Sequence, residues 1–126
     1  MKNKLMMLLL FVFVGCKNEK ELFPCLETIK EYDLGTIKVG ENIDKEILLK
    51  NCSQNENLLI KQIKTSCGCT VASIFDTIVK AGRTTKIKVD FKAEKESVGQ
   101  FNKSIVIEAN TYPNFTVLYL KGKIIE

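Results

Sequence analysis

The stretch Thr84-Thr85-Lys86-Ile87-Lys88-Val89-Asp90-Phe91 decides the fold class. Its odd-numbered positions are apolar or small, whereas three of its four even-numbered positions are charged. Because successive side chains of a strand point to opposite faces of the sheet, this period of two predicts a strand with one buried and one solvated face. One-sided strands of this kind are typical of antiparallel sheets.

The same period of two continues on both sides of this strand. It predicts further strands at Phe101 to Ala109, Phe115 to Ile125, Thr28 to Val39, Ile43 to Lys50, Leu58 to Lys64 and, shorter, within Ile74 to Val79. No helical stripe is present after residue 26. About seven short strands with a turn every 8–12 residues or so predict an all-β fold, an Ig-like antiparallel β-sandwich.

Polar segments predict how these strands are joined. Gly40-Glu41-Asn42 is expected to fold strand 28–39 against strand 43–50, and Lys92 to Gly99 is expected to form a hairpin loop. Asn110 to Asn114 is predicted as the turn between the last two strands. The interruption at Asp33-Leu34-Gly35 predicts a bulge or a switch between sheets.

The last strand carries apolar residues in both phases. Leu118, Leu120, Gly122 and Ile124 share the phase that is expected to face the core. Phe115, Val117 and Tyr119 lie on the other face, which we interpret as the second face of a buried strand. The alternative is an exposed docking surface.

The first fifteen residues have the layout of an export signal. A basic start, Met1 to Lys4, precedes an unbroken apolar run from Leu5 to Val14 and then Gly15. The apolar run is too short to span a bilayer as a helix, which takes about 20 residues. We therefore predict a signal peptide at 1–15.

The residues Phe13-Val14-Gly15-Cys16 resemble a lipobox, with phenylalanine where leucine is usual. The resemblance implies that Cys16 becomes an acylated N-terminus, and two acyl chains are enough for stable membrane anchoring. Residues 16–27 would form the lipidated tether and residues 28–126 the sandwich. The charged run Lys17 to Glu21 resembles the surface-export signals of Bacteroidetes lipoproteins. The expected location is the cell envelope, anchored to the outer membrane and either periplasmic or surface-exposed.

The composition of the chain argues against several classes of function. The chain has 19 basic and 15 acidic residues and no histidine. Removing Lys2 and Lys4 with the signal leaves 17 basic residues (19 minus 2) against 15 acidic ones, interleaved rather than clustered, which argues against nucleic-acid binding. The lack of histidine excludes Ser-His-Asp and Cys-His catalysis. No enzyme activity, cofactor or small-molecule substrate is predicted.

A series of landmarks across residues 28–125 resembles the family called domain of unknown function 1573. They are Tyr32 to Ile37, Gly40-Glu41, Leu49-Lys50-Asn51, Leu58-Leu59-Ile60, Thr65 to Thr70, Gly82, Ile87 to Phe91, Gly99, Phe101, Lys103, Asn110 and Leu118 to Gly122. The resemblance implies an Ig-like domain similar to the Hydin type and common in Bacteroidetes lipoproteins. Ala81 and Cys52 depart from the family pattern. The family supplies no established activity.

Four cysteines remain after Cys16. The predicted turn at Gly40-Glu41 returns the chain before residue 28 to the Cys52 end of strand 43–50, so we predict a disulfide between Cys25 and Cys52. Closing a loop of that size stabilises a fold by about 3–4 kcal/mol in the chain-entropy description.

The motif Cys67-Gly68-Cys69-Thr70 leaves several interpretations open. In an extended strand the Cα atoms of residues i and i+2 lie about 6.5–7 Å apart, at the upper limit for a disulfide, unless Gly68 bends the chain. The pair can be structural, can exchange thiols and disulfides, or can bind a soft metal such as Cu(I) through Cys67 and Cys69.

These observations lead to two hypotheses about the function. The leading hypothesis is a membrane-anchored, non-catalytic Ig-like module with a protein partner in the cell envelope. The alternative is an envelope copper-binding or redox protein that uses the Cys67-Gly68-Cys69 motif.

Overall fold

A computed structural model describes Gly15 and residues 22–126 of the chain. These residues form nine strands and a three-residue 3₁₀ helix, Lys95–Ser97. The strands are β1 (Leu26–Glu27), β2 (Glu31–Lys38), β3 (Asn42–Asn51), β4 (Leu58–Thr65), β5 (Thr70–Ile74), β6 (Ile78–Val79), β7 (Thr84–Lys92), β8 (Gly99–Ala109) and β9 (Phe115–Ile125). The all-β prediction is confirmed, and β1 begins two residues before the predicted start of the sandwich.

The strands build two packed sheets. One has the order β1-β3-β7-β5 and the other the order β2-β9-β8-β4-β6. All pairs are antiparallel except β2 and β9, which run parallel. The fold is thus an Ig-like β-sandwich, with one parallel pair that the antiparallel prediction did not include.

Two of the predicted hairpins are wrong. β7 pairs with β3 and β5, whereas β8 pairs with β4 and β9, so residues 92–99 cross from one sheet to the other. The turn at Gly40-Glu41 likewise joins β2 in one sheet to β3 in the other. A polar turn reveals that the chain reverses, but it does not reveal which sheet receives the next strand. The hairpin of β8 and β9 through residues 110–114 is confirmed.

The chain changes sheets before the predicted interruption. β1 pairs with β3, and after residues 28–30 the chain joins the other sheet as β2. The register of β2 against β9 shifts between Asp33 and Thr36, which confirms a bulge at the predicted place. Gly35 has a φ of 72°, and its N–H donates to Asp33 Oδ1 at 2.8 Å.

The core has two parts. Ile47, Leu49, Ile87, Leu118 and Leu120 belong to the larger central cluster. The smaller cluster, which we call the end core, consists of Ile37, Cys69, Phe91, Ala93, Phe101 and Ile124. The inward residues of the Thr84 to Phe91 stretch are buried, as predicted.

The other face of β9 is exposed. Phe115 and Tyr119 are exposed and Val117 is half-buried on the outer face of the five-stranded sheet. Our interpretation of a second buried face is therefore wrong, because a sandwich has two layers and no third layer of described residues covers this face. The structure agrees instead with the exposed face that the alternative interpretation predicted.

Candidate functional site

The predicted acylation residue, Cys16, lies outside the described residues, so its lipidation stays a prediction. Within residues 22–126, no helix has the length and apolar character needed to cross a membrane.

Cys25 and Cys52 lie at disulfide distance, with their Cα atoms 5.0 Å apart. The short strand β1 brings them together, since Leu26 pairs with Asn51 and the Cys52 N–H donates to the Cys25 carbonyl at 3.0 Å. The route differs from the one predicted: a two-residue strand, rather than the whole of strand 28–39, runs beside β3. The disulfide fastens the start of the described chain to the end of β3.

A buried asparagine beside this disulfide organises three segments of chain. Asn51 Nδ2 donates to the carbonyls of Glu56 and Val79 at 2.8 Å each, and its Oδ1 accepts from the Ser53 N–H at 3.0 Å. Ser53 Oγ in turn accepts from the Cys25 N–H at 2.7 Å. Asn51 stood among the family landmarks, but the sequence alone did not reveal this role.

Cys67 and Cys69 are also at disulfide distance, with Cα atoms 5.3 Å apart. This separation is shorter than the value for an extended strand because residues 66–69 form a turn and β5 begins only at Thr70. The Thr70 N–H donates to the Cys67 carbonyl across that turn at 3.3 Å. Gly68 does not have a positive φ, so the turn does not depend on the left-handed region that glycine favours.

The two sulfurs have different surroundings. Cys69 is buried in the end core, where the rings of Phe91 and Phe101 stack with centroids 4.8 Å apart. Cys67 is half-buried at the rim. The hydroxyl of Thr70 lies 3.6 Å from the Cys67 sulfur and 3.8 Å from the Cys69 sulfur. The fourth residue of the motif thus contacts both sulfurs, and a reagent approaching from solvent meets Cys67 first.

The four paired cysteines form two separate sites. No group of three or more His, Cys, Asp and Glu side chains suited to a metal ion occurs in the part of the chain that the structure describes. A disulfide offers no thiolate, so binding of a soft metal at Cys67 and Cys69 first requires reduction of that bond. The chemistry directly available to the motif is thiol–disulfide exchange.

A second candidate site is an apolar groove that we call the aromatic groove, with a volume of about 770 Å³. Its walls come from residues 22–26 and from the β8–β9 turn with the start of β9. Phe23 and Tyr112 stack across it with ring centroids 5.6 Å apart. Neither residue was singled out in the sequence. A signal for Phe23 is the apolar pair Leu22-Phe23 directly after the charged run Lys17 to Glu21.

Residues 27–124 match the family described as "Protein of unknown function (DUF1573)". The chain belongs to the DUF1573 family. No match was found among curated proteins.

Solved structures share the fold of this DUF1573 domain at low identity. A protein of unknown function from Porphyromonas gingivalis W83 is 18% identical with a TM-score of 0.72, over 79% of this chain and 46% of that one. The chain therefore spans less than half of that protein's length. The ASH/PapD-like domain 7 of human CEP192 is 13% identical with a TM-score of 0.64, over 80% and 85% of the two chains. Vibrio cholerae VesB protease is 12% identical with a TM-score of 0.59, over 80% and 32%.

These likenesses establish the sandwich and no activity. The match to the protease covers only 32% of that chain. The features of this domain that can carry a function are the two cysteine pairs, the edge strands of the two sheets and the aromatic groove.

Proposed function

We propose that this DUF1573 protein is a lipoprotein of the cell envelope, anchored to the outer membrane through Cys16, whose sandwich is a non-catalytic interaction module. The observation that carries the interaction role is the edge strand β5. It ends the four-stranded sheet and contains no charged residue, and Val71 and the following Phe75 are exposed. Sheet edges are normally protected by lysines, prolines or bulges.

The hydrogen bonding of β5 supports this role. The Lys92 N–H donates to the Cys69 carbonyl and the Phe75 N–H donates to the Lys86 carbonyl, so odd-numbered residues face β7. By the alternation of an antiparallel ladder, Ala72 and Ile74 direct their backbone groups away from the sheet. An extended segment of a partner protein can pair with such an edge by strand addition.

The partner role is tested by cross-linking the protein in intact cells and comparing Val71→Lys with Leu48→Lys. Both positions are exposed, but Leu48 lies on β3, away from the edge at β5. There β7 pairs with Leu48 on one side, and on the other side the Thr28 hydroxyl donates to the Leu48 carbonyl at 2.8 Å. We expect Val71→Lys to abolish the cross-linked species and Leu48→Lys to retain it, because a lysine opposes pairing only at a free edge. Equal cross-linking by both variants would contradict strand addition at β5.

The anchor is tested separately. Intact mass measurement of protein from membranes should show cleavage before Cys16 and added acyl chains, and Cys16→Ala should release the protein from the membrane fraction. An uncleaved N-terminus on protein recovered from membranes would refute the lipoprotein proposal.

A second candidate function is thiol–disulfide exchange at Cys67 and Cys69. The specific observation in its favour is the accessible Cys67 bonded to a buried Cys69, with the Thr70 hydroxyl near both sulfurs. In a full exchange the bond between the two sulfurs breaks and two thiols form, while a partner dithiol loses two electrons and two protons and becomes a disulfide. Copper binding to the reduced pair is the related alternative.

Redox titration against glutathione separates this candidate from the module proposal. Exchange predicts partial reduction of Cys67–Cys69 at the potential of the glutathione pool and a shifted midpoint in Thr70→Val, because that variant loses a hydroxyl beside the thiolate. Titration of the reduced protein with Cu(I) tests the metal. If the Cys67–Cys69 disulfide stays oxidised throughout the glutathione titration, a redox function in the envelope is excluded.

A further inference from the structure

The aromatic groove is unusually open for the residue types that line it. Leu22 is 87% exposed and Tyr112 is 82% exposed, and Phe23 and Phe115 beside them are about half exposed. Isolated exposed apolar residues are common, but a contiguous group of this kind marks an interaction site. Among the described residues, no third layer covers the groove.

The described residues that line the groove carry positive charge only. Lys30 is the single charged side chain among the described residues that line it, and no carboxylate accompanies it. The remaining polar groups include the hydroxyls of Tyr112, Tyr119, Thr111 and Thr116. Tyrosines combine an apolar ring with a polar tip, and a nearby lysine can snorkel toward phosphate. This combination is typical of surfaces that rest in a membrane interface.

The groove lies close to the proposed anchor along the chain. Leu22 forms part of its wall, and Cys16 precedes Leu22 by only six residues. Six residues span at most about 20 Å even when fully extended. An acyl group on Cys16 therefore holds the groove within reach of the headgroup layer.

The wall of the groove formed by residues 22–26 is fastened to the sandwich. The Cys25–Cys52 disulfide, the hydrogen bond from the Cys25 N–H to Ser53 and the stacking of Phe23 on Tyr112 all fasten residues 23–25 to the sandwich. These contacts place residues 23–25 beside the groove.

We propose that the aromatic groove rests on the surface of the lipid bilayer, with the aromatic rings in the headgroup region and Lys30 near lipid phosphate. This inference depends on the lipid anchor of the proposed function. It orients the sandwich with the end near Tyr112 toward the membrane and the opposite end, with the Cys67–Cys69 turn, toward solvent. Depth within the bilayer tests this orientation directly.

The test uses the acylated full protein in vesicles of phosphatidylethanolamine and phosphatidylglycerol whose acyl chains are brominated or not. The chain contains no tryptophan, so Tyr112→Trp introduces a single reporter, and Phe115→Trp provides a second in case the first disturbs the fold. The control is Val98→Trp, an exposed residue at the other end of the 11-residue strand β8. The two ends of β8 are separated by about 30 Å.

We expect brominated lipid to reduce the fluorescence at positions 112 and 115 by about twofold and to leave position 98 unchanged, since bromine quenches only within the bilayer. Equal quenching at both ends, or none, in protein that floats with the vesicles overturns the orientation and leaves the anchor intact. Shielding from aqueous quencher without bromine quenching identifies a protein, such as a second copy, in the groove and also overturns it. Protein that does not float with the vesicles refutes the anchor and the orientation together.

Discussion

At the scale of single residues, a close contact between Gly122 and the Phe101 ring of the end core leaves no space for a larger side chain at position 122. Gly122 on β9 pairs with Phe101 on β8, and the Phe101 ring lies directly over it. A Cβ placed on Gly122 would meet the Gly35 carbonyl oxygen and the Phe101 ring, each at 2.7 Å. Because the oxygen belongs to the backbone of the β2 bulge, it cannot yield as a flexible side chain would.

We therefore predict that Gly122→Ala destabilises the domain by about 1–3 kcal/mol through overpacking. Gly68→Ala is the matched control, because the space around Gly68 is open and its φ is not positive. Urea unfolding followed by circular dichroism measures both. Equal stability of the two variants would show that β2 moves aside at little cost.

A second prediction at this scale concerns Asn51. Asn51→Ala removes three hydrogen bonds and leaves the carbonyls of Glu56 and Val79 without this donor, so we expect a loss of about 2–4 kcal/mol. Asn114→Ala, at an exposed position of the β8–β9 turn, should change the free energy of unfolding little. A loss of unfolding free energy no larger than that of Asn114→Ala would mean that water replaces the hydrogen bonds of the buried amide.

At the scale of elements, the pairing of β3 with β7 carries a local electrostatic conflict. Asp44 stands directly opposite Asp90. A hydrogen bond shared with Asp90 and repulsion by its charge raise the pKa of Asp44 in the folded protein, whereas Lys88 acts in the opposite direction. Like charges on directly opposed strand positions destabilise a sheet.

The sign of the pH effect follows from this shift. A pKa that is raised by folding means that the folded state binds the proton more tightly, so stability is lost as pH rises through the raised pKa of Asp44. We predict that Asp44→Asn increases the melting temperature slightly at pH 7, and that the gain disappears at pH 3. Asp76→Asn, which removes an exposed loop carboxylate, is the control in the same thermal scans. A gain that persists at pH 3 would contradict an electrostatic origin.

At the scale of the whole molecule, the two cysteine pairs differ in what they constrain. Cys25 and Cys52 are 27 residues apart in the sequence, whereas Cys67 and Cys69 are two apart. A cross-link reduces the entropy of the unfolded chain more when it closes a longer loop. The first pair is therefore the main covalent contribution to the stability of the sandwich.

Replacing both Cys25 and Cys52 by serine should lower the free energy of unfolding by about 3–4 kcal/mol, and the same change at Cys67 and Cys69 by only about 1–2 kcal/mol. Denaturant titration of the oxidised proteins measures the difference, with the wild type in reducing agent as the reference for losing both bonds. A larger loss from the Cys67–Cys69 variant would assign that pair a packing role in the end core.

The sequence by itself determined the class of the fold, the position of the main strands and the inward face of each, as at Thr84 to Phe91 and at Leu118 to Ile124. These features are local, because alternation along one strand records which side meets water. Only the tertiary structure decided that β7 and β8 belong to different sheets, that β2 runs parallel to β9 and that the outer face of β9 is uncovered. The physical reason is that apolar burial has no direction: any inward face can pack in either sheet, and the choice depends on backbone hydrogen bonds between strands distant in the sequence.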